Sequence, residues 1–210
     1  MDIIKQQGLT IQEFTELRIK DVQLLTPDEV KVLKDIRERI PMPTPDTPMQ
    51  KIIHAGKIER YLKGEFKAVG GFISKADDVS RFKTYDDIVD NLRLDYKSED
   101  GSTPFVNDPN DHLGQIRFKT TKAETIEIPY GNNRIGDAEP FGGTEHTDKP
   151  FTGNGFAGAL NHNVIPEYKV PEGQLLPVND GAELYKIYRD GREELVAIYS
   201  ENDKRFVEVK

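Results

Sequence analysis

The stretch that decides the fold class is GAELYKIYRDGREELVAIYS, residues 181–200. Apolar and polar residues alternate on both sides of Asp190-Gly191, as they do in half-buried strands. Asp-Gly tolerates the positive φ that a tight hairpin turn requires, so the stretch predicts two antiparallel strands. The same alternation extends to both sides of the hairpin, and four C-terminal strands are predicted at residues 164–170, 183–188, 194–199 and 206–209. Residues 115–119 and 125–128 alternate in the same way and predict two earlier strands.

Upstream, the first 40 residues predict helices. Thr10 with Glu13, and Thr26 with Glu29, each have the spacing of a capping box, in which the two residues satisfy each other's backbone N–H groups. Apolar residues follow both signals at helical spacing. The second helix carries Arg37 on the same face as its apolar residues and ends before Pro41.

A proline-rich stretch, PMPTPDTP at residues 41–48, separates these helices from the rest. Proline lacks the N–H donor and disfavours helix in the preceding residue, so we expect a stiff, extended linker. The predicted fold class is α+β: an N-terminal helical arm (1–40), a linker (41–50), and a mixed main domain (51–210) that ends in the antiparallel meander.

Composition excludes several classes of protein. The chain of 210 residues contains no cysteine, which excludes disulfide scaffolds, thiolate zinc sites and a cysteine nucleophile. Its formal net charge of −8 argues against binding to nucleic-acid phosphates, so no nucleic-acid partner is predicted. No apolar run predicts a membrane span, and the N-terminus has no signal-peptide pattern. We expect a soluble protein and leave its location open between cytoplasm, virion and export by another route.

The motifs for metal and nucleotide sites are absent from the sequence. The four histidines form no close ligand pair, so no metal is predicted. The glycine-rich segment 131–158 lacks the strand–glycine–helix context of a Rossmann or Walker motif. It also lacks a helical or strand period, and we expect an irregular loop that lines or covers a site.

The order of elements in the main domain resembles the mono-ADP-ribosyltransferase exoenzymes of bacterial toxins and prophage-linked proteins. The resemblance covers about residues 50–200 and depends on KIIH at 51–54, GFIS at 71–74 and IPEYK at 165–169. His54 stands where the family has an arginine, and Lys169 stands where it has the second glutamate of a Glu-x-Glu pair.

The resemblance implies NAD as the substrate, with transfer of its ADP-ribose or its hydrolysis as the reaction. Three catalytic residues follow from it: His54 orients a phosphate or ribose hydroxyl, Ser74 supports the site, and Glu167 stabilises the ribosyl cation, which is electrostatic catalysis. Because Lys169 lies on the same strand face as Glu167 and partly neutralises it, we expect low turnover. The residues implied in cofactor binding are Phe72, Arg117 and Tyr168.

Structural interpretations of the same residues stay open. Phe72 fits a core position, Ser74 fits a helix N-cap, Glu167 fits a strand-edge carboxylate, and His54 fits a partly buried, hydrogen-bonded histidine. The alternative function is accordingly a non-catalytic structural or interaction protein, such as a phage component. In either case the helical arm 1–40 is the predicted contact for a target protein or a structural partner.

Overall fold

A computed structural model of the chain describes residues 2–20, 24–96, 102–106, 108–129 and 155–209. It contains 28% helix and 25% strand, which confirms the predicted α+β class. The glycine-rich segment 131–158 falls almost entirely outside the described residues, and the expectation of an irregular loop there stays a prediction.

Helices dominate the N-terminal part of the chain and strands the C-terminal part. The helices are α1 (Asp2–Gln6), α2 (Ile11–Ile19), α3 (Pro27–Glu38), α4 (Ile58–Leu62), α5 (Ala76–Val79) and α6 (Tyr85–Asn91), with short 3-10 helices at Ala55–Lys57 and Ala123–Thr125. The strands are β1 (Met49–Ile53), β2 (Ala68–Val69), β3 (Phe72–Lys75), β4 (His112–Phe118), β5 (Tyr168–Lys169), β6 (Leu176–Pro177), β7 (Glu183–Tyr188), β8 (Glu193–Ser200) and β9 (Arg205–Glu208).

The chain divides into two compact units, each built from three separate segments. Unit 1 comprises residues 1–42, 89–106 and 128–167, and unit 2 comprises residues 43–88, 107–127 and 168–210. The predicted independence of a helical arm at 1–40 stays a prediction, and within unit 1 this arm is grouped with residues from later in the chain.

Unit 2 is organised around a seven-stranded antiparallel sheet in the order β5-β3-β1-β4-β7-β8-β9. The predicted meander is confirmed: β7 and β8 form the expected hairpin, and Gly191 adopts a φ of +86° in its turn. One face of the sheet contributes Met49, Ile116 and Leu184 to a large apolar core, each of them buried.

Two strands predicted upstream of the meander are much shorter in the structure. Residues 125–128 were expected to form a strand, but a 3-10 helix ends at Thr125 and only Glu127 makes a bridge, to Lys169. The strand predicted at 164–170 is reduced to Tyr168–Lys169 and a bridge at Pro166. Prolines at positions 129 and 166 explain part of this, because proline cannot donate to a strand ladder.

Unit 1 contains both predicted capping boxes. Thr10 and Thr26 accept from the backbone N–H groups of Glu13 and Glu29, whose carboxylates accept from the backbone of the two threonines in return. The hydrogen bonds from Thr10 hold the pKa of Glu13 below its usual range. The N-terminal signals in the sequence are therefore confirmed in atomic detail.

Two arginines lie fully buried in unit 1 and donate to backbone carbonyls. Arg37 Nε donates to Gly155 O at 2.8 Å, and its Nη2 donates to Glu167 O at 2.9 Å. Arg18 donates to Ala157 O, and also to Asn161 O at 2.6 Å. Burial lowers the pKa of Arg18 to about 10, so it remains charged at neutral pH. These bonds connect α2 and α3 to residues 155–167 within the unit.

None of the helices in the described part of the chain combines the length and apolar character needed to cross a membrane.

Candidate functional site

The six predicted site residues are divided between the two units. Glu167 belongs to unit 1, and the other five, His54, Phe72, Ser74, Arg117 and Tyr168, belong to unit 2.

Phe72 is the most exposed aromatic side chain among the predicted residues; one lysine approaches its ring and another binds its backbone. Its ring is on β3, 38% of the residue is accessible, and Lys169 lies directly opposite it on β5. Lys169 Nζ is 6.0 Å from the ring centroid, the outer limit of a cation–π contact. Lys51 Nζ donates to the backbone oxygen of Phe72 at 2.8 Å. We call Lys51, Phe72 and Lys169 the Phe72 edge.

Phe72 is therefore not a core residue, as one interpretation of the sequence had it. The core position on β3 belongs to its neighbour Ile73, which pairs with Tyr168. Tyr168 is fully buried in the apolar core, with Lys75 Nζ 5.5 Å from its ring. Because alternate residues of a strand point to opposite faces, Phe72 and Tyr168 lie on different sides of the sheet.

Ser74 lies on the same face of β3 as Phe72 and belongs to a buried chain of polar side chains. Gln50 Nε2 donates to Ser74 Oγ at 2.9 Å, and Gln115 Nε2 donates to Gln50 Oε1 at 2.6 Å. The three residues are at most 7% exposed. Ser74 is not a helix N-cap, since Lys75 occupies that position of α5.

Sequence reasoning missed both glutamines, Gln50 and Gln115, of this hydrogen-bonded row. The available signal was a glutamine within an otherwise apolar strand, in MQKII and in HLGQIRF. Buried amides need partners, and the strand register supplies them because Gln50 is opposite Ser74. The hydrogen bonds among these three side chains hold β3, β1 and β4 together and fix the position of Ser74 beside the Phe72 edge.

His54 is held from both sides of its ring. Its Nδ1 accepts from the N–H of Gly56 at 3.1 Å, which caps the following 3-10 helix, and its Nε2 is 3.0 Å from Asp108 Oδ2. The side chain of Asp108 is completely buried. A ribose hydroxyl or a phosphate would therefore have to compete with one of these two contacts for His54.

Arg117, on β4, belongs to a second cluster of polar side chains, which includes residues of β7 and β8. Its guanidinium makes two hydrogen bonds to the carboxylate of Glu193, at 3.0 and 2.7 Å, and lies 4.3 Å from the ring centroid of Tyr185. Burial opposes the charge of Arg117, but its bonds to Glu193 outweigh that effect and its pKa is raised. Burial raises the pKa of Tyr185, and the bond it donates to Glu183 at 2.9 Å adds to this.

Glu167 is 8% exposed and is positioned by its backbone. Its N–H donates to Gly155 O at 2.8 Å, and its own carbonyl accepts from Arg37. Sequence reasoning placed Glu167 on a strand edge. Instead, the backbone contacts of Arg37 and Gly155 fix it in unit 1, and it directly precedes β5.

Within the described ranges, no group of three or more His, Asp or Glu side chains is arranged to hold a metal ion. No protein-family model, curated protein or solved structure matches the sequence.

Proposed function

We propose that unit 2 binds NAD at the Phe72 edge, as the binding half of an ADP-ribosyltransferase-like protein. The observation that supports this most is an accessible aromatic ring with Lys169 beside it and a second lysine, Lys51, bonded to its backbone, in a chain of net charge −8. NAD offers the matching chemistry, because it combines two aromatic bases with a doubly charged pyrophosphate. Base–aromatic stacking contributes about 1–3 kcal/mol per base, and lysines provide the charge for phosphate.

In the proposed reaction, the bond between ribose and nicotinamide breaks and its electron pair leaves with the nicotinamide. The ribosyl carbon then carries positive charge until a nucleophile of the target, or water, attacks it. The resemblance assigns the carboxylate that stabilises this charge to Glu167. The Phe72 edge orients the ligand and supplies no proton to the reaction.

A NAD titration by calorimetry tests the binding step. We expect the wild-type protein to bind with a submillimolar Kd, Phe72→Ala to weaken binding about 10-fold, and Lys169→Glu to weaken it about 10-fold or more. Lys83→Glu is the matched control, since Lys83 is an exposed lysine elsewhere in unit 2. Absence of wild-type binding at millimolar NAD, or equal weakening by Lys83→Glu, would contradict the proposal.

The second candidate is a non-catalytic binding protein, and the contacts of His54 and Arg117 favour it. Both ring nitrogens of His54, and both terminal nitrogens of Arg117, already lie in close contact with groups of the protein itself. A nicotinamide-release assay on the wild type and Glu167→Gln separates the candidates. Release that Glu167→Gln abolishes supports the transferase, whereas binding without release supports the non-catalytic protein.

A further inference from the structure

An open groove runs between α2 and α3 within the first 42 residues, and it is unrelated to the residues proposed for NAD. Its floor consists of Leu9, Leu17 and Val32, which are half-buried. These three side chains pack from outside against the apolar cluster of unit 1. The groove encloses about 440 Å³, within the range of sites that accept ligands or side chains.

The rim of the groove is acidic on both sides. Glu13 and Glu16 border it from α2, Asp28 and Glu29 from α3, and Lys20 is the one cation among the described lining residues. Lys20 is itself bound to Glu29 at 2.8 Å, and the described lining residues carry an excess of three negative charges.

The capping boxes hold two of these carboxylates in place. Glu13 accepts from Thr10, and Glu29 accepts from Thr26 and Lys20, so both side chains have fixed positions before any partner arrives. A fixed acidic rim around an apolar floor is complementary to a segment with an apolar stripe and basic flanks. The same rim repels phosphates, which disfavours nucleic acid and anionic lipid as occupants.

We propose that this groove binds a basic amphipathic helix of a partner protein. The apolar residues of that helix, at spacings of three and four, contact Leu9, Leu17 and Val32, and its lysines or arginines face the acidic rim. This inference goes beyond the NAD site, and it holds or fails whether or not the protein binds NAD.

A labelled model peptide provides the test, with fluorescence anisotropy of the full-length protein as the readout. The probe is a 14-residue peptide with leucines at helical spacing and lysines at all other positions. We expect micromolar binding that weakens as salt rises. A peptide with serine in place of leucine, and one with glutamate in place of lysine, are each expected to bind at least 10-fold more weakly.

Two matched charge reversals locate the binding site. Glu16 and Glu38 are both exposed glutamates near the C-terminal ends of unit 1 helices, and only Glu16 lines the groove. We expect Glu16→Lys to raise the Kd about 10-fold and Glu38→Lys to change it less than 2-fold. The proposal is overturned if the two variants have equal effects, or if the serine peptide binds as tightly as the leucine–lysine peptide. It is also overturned if the leucine–lysine peptide does not bind at about 100 μM.

The apolar floor is tested by Leu17→Gln, with circular dichroism as the check that the variant is folded. A folded variant is expected to bind the leucine–lysine peptide at least 5-fold more weakly. If this variant is unfolded, Val32→Thr serves the same purpose, since it keeps the shape of the side chain and removes apolar surface. Unchanged binding by a folded floor variant would contradict an apolar contact in the groove.

Discussion

Arg37→Ala is expected to lower the free energy of unfolding of unit 1 by about 3–6 kcal/mol, since each hydrogen bond from a charged donor contributes about 1.5–3 kcal/mol. The substitution removes the bonds to Gly155 O and Glu167 O and leaves both carbonyls without this donor. It also empties the volume of a fully buried side chain. Hydrogen exchange of the peptide covering α3, followed in increasing urea, measures the effect in unit 1 directly.

Arg39→Ala is the matched control, because Arg39 is an exposed arginine two residues away at the end of α3. Surface substitutions of this kind usually change stability by no more than about 0.5 kcal/mol. If Arg37→Ala destabilises α3 no more than Arg39→Ala does, the two carbonyl contacts of Arg37 do not hold the unit together.

Gly155→Ala is expected to destabilise unit 1 by about 2–5 kcal/mol, from backbone strain of about 1–2 kcal/mol and overpacking of about 1–3 kcal/mol. Gly155 adopts a φ of +85°, which disfavours any residue with a Cβ. A Cβ at this position would lie 2.5 Å from Arg37 Cγ and 3.0 Å from Ile128 Cγ2, so the side chain of Arg37 could not keep its place. Thermal unfolding by circular dichroism gives the change in Tm.

Gly8→Ala separates the two contributions. Gly8 lies in the same unit and has a φ of +76°, but a Cβ there would meet nothing within 4 Å. Its substitution therefore carries only the strain of about 1–2 kcal/mol. Equal losses for Gly8→Ala and Gly155→Ala would show that the close approach of Arg37 adds nothing.

Local signals in the sequence predicted the elements of the fold well. The two capping boxes and the Asp190-Gly191 turn depend on residues no more than a few positions apart, and all three are confirmed. The apolar face of α3 was also predicted to include Arg37. Its burial follows from that face, but its partners lie 118 and 130 residues further along the chain and leave no local pattern.

The candidate site was harder to predict for the same reason. Gln50, Ser74 and Gln115 become neighbours only through the register of three strands, which turn chemistry alone does not fix. The exposure of Phe72 could not be predicted either, because GGFIS has no alternation long enough to separate the faces of β3. The proposed stacking of NAD on Phe72 depends on the residues that the sheet places beside it.

The segmented construction of unit 1 has a consequence during synthesis on the ribosome. Helices α2 and α3 emerge before residues 155–167, which carry the carbonyls that accept from Arg18 and Arg37. At about 5–20 residues per second, residue 167 follows residue 42 by roughly 6–25 s. Throughout that interval the nascent chain contains two amphipathic helices whose arginines and apolar faces do not yet contact residues 155–167. Such a segment is a natural substrate for chaperones, and a chain that terminates before residue 155 never completes it.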